Sequence, residues 1–150
     1  MATLTTTITE EVFLNGANRG STNVLAMTGV NEVYHRIVNV PPSAISNITV
    51  LSTDSTFASG DVVIPSALKY VRFTNLSTSD TPYTIYLKVQ TATSESVKVL
   101  GYGESFLMTD GQCYAGTGVD QAYTLTDLKT IKVGMTGGSS CLGEIFVATS

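Results

Sequence analysis

Few side chains here are of a kind that does chemistry, and their spacing assembles no reaction. There is one histidine, His35. Any Ser-His-Asp or Cys-His centre has to include it, and no site with several histidine ligands can be built. It lies in VYHRIVNV with Glu32 as its nearest acid in sequence, and reads as a structural or surface histidine. Ser105 lies in GESFL, which lacks the second glycine of a nucleophile elbow. Gly101-Tyr102-Gly103 holds half of a dinucleotide fingerprint. It precedes a strand pattern, so the helix N-terminus that receives the phosphates is missing.

The twelve acids are scattered. Glu10 and Glu11 are adjacent, which on a strand sends them to opposite faces and prevents them from acting as a pair. Two acids on neighbouring strands can still meet, as in a glycosidase, and spacing leaves that open. No loop has the acid density of a calcium loop. Cys113 and Cys141 form no CxxC pair, and free thiols are expected. Asn47-Ile48-Thr49 and Asn75-Leu76-Ser77 match the glycosylation pattern, which matters only in an exported chain. The expectation is no catalytic residue, no cofactor and no metal.

The elements that carry these residues are strands. Tyr83, Ile85, Leu87 and Val89 alternate with Thr84, Tyr86, Lys88 and Gln90, the signature of a strand with one buried and one wet face. Val71 and Phe73 precede it and Val97 and Val99 follow it at inward-reading positions, with Ile131 and Val133 further on. The expected core is Val71, Phe73, Ile85, Leu87, Val89, Val97, Val99, Ile131 and Val133. Pro41-Pro42 and Pro65 stop strands because proline donates nothing to a ladder. Asn23–Thr28 reads as a buried strand or one helical turn, and Asp120–Leu128 as a short helical turn. Nine to eleven short strands at the spacing of a sandwich or barrel, without strand–helix alternation, predict an all-β, antiparallel fold spanning residues 1–150 as one domain.

The first stretch is singular. Leu4, Thr6, Ile8, Glu10, Val12 and Leu14 alternate with Thr5, Thr7, Thr9 and Glu11, before turn signals at Asn15-Gly16 and Arg19-Gly20. Residues 1–9 read as an extended N-terminal arm contacting other chains, or as a first strand packed on its own domain. On the arm reading Thr3, Thr5 and Thr7 are the inter-chain contact residues.

Charged residues make up 13% of the chain, about half the usual share, and Thr with Ser fill about a quarter of it. So few charges leave little repulsion against self-association, and a homo-oligomer is expected. The net charge of −4, without a Lys/Arg run, gives no footprint for nucleic acid. No apolar run reaches membrane-spanning length, and MATLTTTITEE lacks the pattern of a signal peptide. No membrane partner is expected.

KYVRFTNLSTSDTPYTIYLKVQ followed by VKVLGYGESFLMTDG resembles a segment of small structural proteins of tailed-phage virions. The matching residues are Arg72, Phe73, Thr74, Asn75 and Leu76, then Leu100, Gly103, Glu104, Ser105 and Phe106. The resemblance covers about a quarter of the chain. Tyr102 departs from it, standing where Pro or Ala is more usual. The resemblance implies an antiparallel β-sandwich, jelly-roll-like, and a non-enzymatic virion component made in the host cytoplasm, most specifically a capsid decoration or cement protein. Its partners would be the major capsid protein or other virion proteins. The rival expectation is a carbohydrate-binding or tail/fibre-associated β-sandwich module, with tyrosines as stacking platforms.

Overall fold

The alternation at Tyr83–Gln90 becomes a central strand of a two-sheet body in the computed structural model, which describes residues 2–42, 45–51, 62–63, 67–91, 94–109, 112–114, 125–135 and 138–150. The strands in chain order are β1 (Ala2–Thr9), β2 (Phe13–Leu14), β3 (Ala17–Asn18), β4 (Thr22–Val30), β5 (Glu32–Val40), β6 (Ile45–Leu51) and β7 (Val62–Val63). There follow β8 (Leu68–Asn75), β9 (Ile85–Thr91), β10 (Glu95–Leu100), β11 (Ser105–Met108), β12 (Gln112–Tyr114), β13 (Leu125–Met135) and β14 (Cys141–Thr149).

One sheet runs β10-β9-β13-β6, with β7 added parallel to β6 and β12 paired to β13. The other runs β11-β8-β14-β5. Take the eight body strands β5, β6, β8, β9, β10, β11, β13 and β14 in chain order. One sheet then holds the first, eighth, third and sixth, and the other the second, seventh, fourth and fifth. Every body pairing except β6–β7 is antiparallel. This interleaving makes the antiparallel β-sandwich a jelly roll.

Period-two patterning explains the layers. Ile85, Leu87 and Val89 of β9, Ile131 and Val133 of β13, Val71 and Phe73 of β8, and Ile145 and Val147 of β14 all turn into one core. Burying such side chains is the main favourable term holding the sheets together, roughly 1.5–3 kcal/mol for each large one.

Two expected core residues are not in it. Val97 is 51% exposed and Val99 59% exposed. The turn between β9 and β10 places Glu95 opposite Gln90, Val97 opposite Lys88 and Val99 opposite Tyr86. Directly opposed residues share a face, so both valines join the outer face of the sheet. Lys98 and Ser96 take the inward parity instead, and β10 is an edge strand. A charged residue turned inward on an edge strand discourages further strand pairing.

The helical turn expected over 120–128 falls partly on residues outside the described set. Leu125–Leu128 belong to β13.

Candidate functional site

The side chains that stand out are apolar and uncovered, and they lie on one hairpin. β1 pairs antiparallel with β4, and β2 with β3, in a single register from Thr3 opposite Thr28 to Leu14 opposite Ala17. Between the two ladders, Glu10 N donates to Ser21 O (2.8 Å) and Arg19 N to Val12 O (2.7 Å). Asn18 Oδ1 accepts from Val12 N and Gly20 N. The tip is Asn15-Gly16, both at positive φ (51° and 78°), which is the two-residue type I′ turn that Asn-Gly favours.

Register assigns the faces. Leu4, Thr6, Ile8, Glu10, Val12 and Leu14 share one face with Met27, Leu25 and Arg19, while Thr3, Thr5, Thr7, Thr9 and Phe13 share the other with Val24. The base of the first face is covered. Leu4 and Met27 pack with Val30 on Tyr70, Ala148, Leu107 and Phe146, on the outer side of the β8–β14 layer. Beyond the base the same apolar stripe continues bare through Ile8, Leu25, Val12 and Leu14. Phe13 at the tip is 74% exposed. A two-stranded ribbon is marginal in water by itself, and a bare apolar stripe of this length is the kind of surface that marks interaction sites in proteins generally.

Thr3, Thr5 and Thr7 are exposed on the other face, opposite Thr28, Ala26 and Val24. All of Ala2–Thr9 bonds to β4 of its own chain. The projecting element is therefore the hairpin 2–30, of which Ala2–Thr9, the described part of the expected arm, contribute one strand.

Where the hairpin base meets the sheet there is a cleft of about 220 Å³ lined by Leu4, Thr5, Thr6, Tyr70, Arg72 and Phe146. Arg72 Nη2 lies 2.8 Å from Glu144 Oε2, and His35 Nε2 lies 2.6 Å from Glu144 Oε1. Arg72 Nε is buried without a partner among the described residues. β14 lies between β5 and β8, with Glu144 opposite Ile37 and Thr74 and Phe146 opposite His35 and Arg72. The carboxylate thereby reaches a cation or imidazole on either side. His35 also stands beside the Phe146 ring, 5.9 Å between centroids. Nothing in the sequence spacing signals this cluster, because Glu144 is 109 residues from His35. Glu144 can hold His35 and orient it, but among the described residues no hydroxyl or thiol is bonded to the ring to make a nucleophile. Among the described residues no group of three or more His, Cys, Asp or Glu side chains gathers to hold a metal.

Ser105 Oγ is spent on Thr74 Oγ1 at 2.8 Å, and Gly101-Tyr102-Gly103 forms a turn in which Gly101 N bonds Glu104 Oε2. Cys141 is a free thiol in the core, and burial pushes its pKa up. The Cys113 side chain lies outside the described set. Since the thiolate is the reactive form, Cys141 is expected to resist a thiol reagent in the folded chain and to react at the ordinary rate once the chain is denatured. Timed labelling followed by mass spectrometry of the Cys141 peptide checks this; fast labelling of the native protein would place the thiol outside the core.

Compared with protein-family models, with curated proteins and with solved structures, this chain finds no match in any of the three.

Proposed function

We propose that this chain is a non-enzymatic structural protein of a phage particle, decorating or cementing the capsid, with the hairpin 2–30 as its joint to neighbouring subunits. The observation that carries the assembly part of this reading is the apolar stripe of Ile8, Leu25, Val12 and Leu14, bare beyond the hairpin base, with Phe13 exposed on the opposite face at the tip. A particle supplies many copies of a fixed surface on which such a ribbon is buried. The phage part rests on the resemblance around Arg72–Leu76 and Leu100–Phe106. Jelly rolls recur in viral capsids, which adds an analogy of fold and no more.

The test is a measurement of copy number in virions purified from cells in which the gene is expressed. Hundreds of copies per particle are expected for shell decoration and a few for a tail position, on the order-of-magnitude logic of symmetric assemblies. The triple variant Val12→Ser, Phe13→Ser, Leu14→Ser should keep the melting temperature of the body and lose retention on the particle. Absence of the wild-type chain from the particle would overturn the reading.

A second reading, a carbohydrate-binding module, is favoured by the cleft, where the half-buried Phe146 ring stands beside Arg72 and two threonines, with Tyr70 buried at its floor. Binding on a glycan array, lost in Phe146→Ala, with no chain in the particle, would select it.

A further inference from the structure

The outer face of the β10-β9-β13-β6 sheet carries an arrangement that the fold by itself does not explain. Lys88 and Lys132 stand directly opposite each other on β9 and β13. Like charges at directly opposed positions repel. Glu95 from β10 pairs with Lys88, but Lys132 has no ion pair among the described residues. Around the two lysines the face is mixed: Gln90 and Thr130 flank them on one side, and exposed apolar residues lie on the others. Val97 and Val99 are bare on β10, Tyr86 is half-buried on β9, and Ile45 on β6 is 65% exposed. The face therefore wants an acidic group flanked by apolar side chains.

The hairpin carries that complement. Glu11 shares one face of the ribbon with Phe13, which is 74% exposed, while Glu10 shares the opposite face with Val12 and Leu14. Glu10 accepts a bond from Ser21, while Glu11 has no partner among the described residues. We infer that the face of the hairpin tip carrying Glu11 and Phe13 docks on the outer β10-β9-β13-β6 face of a second copy of this chain, with Glu11 seated at Lys132. One chain cannot satisfy itself this way. Its hairpin base is fixed to the outer side of the β8–β14 layer, so the full thickness of the sandwich separates its own arm from its own acceptor face. Tip and face are different surfaces, so the contact is heterologous and propagates from copy to copy until a ring closes. The inference rests on the assembly reading above and names the partner as this chain itself.

Sedimentation velocity on the full chain tests it with three variants. Glu11→Lys and Lys132→Glu should each raise the dissociation constant of the oligomer about tenfold or more, and the chain carrying both should recover the wild-type assembly. Loss of association in Lys132→Glu is not loss of fold, since that change gives Lys88 an acid directly opposite it; equal melting temperatures check this. A monomeric wild-type chain, single variants that associate normally, or a double variant that stays dissociated would each overturn the inference. The two readings fail separately. A monomer present in many copies on the particle sinks the self-docking and leaves the structural role. Charge-swap recovery by a chain absent from the particle does the reverse.

Discussion

Asn75→Ala is expected to destabilise the body by about 3–4 kcal/mol, more than the loss of any one hydrogen bond would suggest. Asn75 is fully buried at the end of β8. Its Nδ2 donates to Tyr83 O at 2.7 Å, Gly101 O at 2.9 Å and Leu100 O at 3.1 Å. Its Oδ1 accepts from Ser77 N and Ser77 Oγ. One amide thus ties the turn after β8 to the entry of β9 and to the exit of β10. Truncation leaves carbonyls in a dry site with no donor, and each such group costs about 1–3 kcal/mol. Asn75→Asp should be as damaging despite its shape, because it turns a carboxylate toward those carbonyls. Urea unfolding followed by circular dichroism reads both. A midpoint shift corresponding to under 1 kcal/mol for Asn75→Ala would mean the site is wetter than its burial states.

Asn75 also shows what was legible in the sequence and what was not. It was visible as part of a recurring strand-end pattern, yet its role depends on carbonyls that only the folded turns bring to it. The alternation in β9 was legible because Ile85, Leu87 and Val89 are apolar and their neighbours are not. Val97 and Val99 alternate just as cleanly, but alternation gives only a parity. The turn at Thr91–Ser94 decides which parity faces the core, and it sets Val97 beside Lys88. In the hairpin, the even-numbered apolar stripe from Leu4 to Leu14 could be read directly. Its pairing with Thr22–Val30 could not, because NVLAMT has no clean period of two. The contact between Glu144, Arg72 and His35 needed the β5-β14-β8 order, a property of topology with no local trace.

Phe73→Ala is expected to cost about 3–5 kcal/mol, the range for emptying a fully buried aromatic site. The ring of Phe73 is 2% exposed and lies over Gly143 on β14. A Cβ at residue 143 would overlap Phe73 Cζ and stand 2.9 Å from Cε2. Glycine inside a strand ordinarily weakens it, and here its lack of a side chain is the floor of the aromatic slot. Gly143→Ala should therefore cost about 1–3 kcal/mol as an overpacking change. In a Phe73→Leu background the clash is gone, and the same substitution should cost far less, since residues in contact do not add. The cycle of wild type, Phe73→Leu, Gly143→Ala and the pair, each unfolded in urea, measures this coupling. Equal costs for Gly143→Ala in both backgrounds would mean the two positions do not touch, and the packing of β8 on β14 would have to be redrawn.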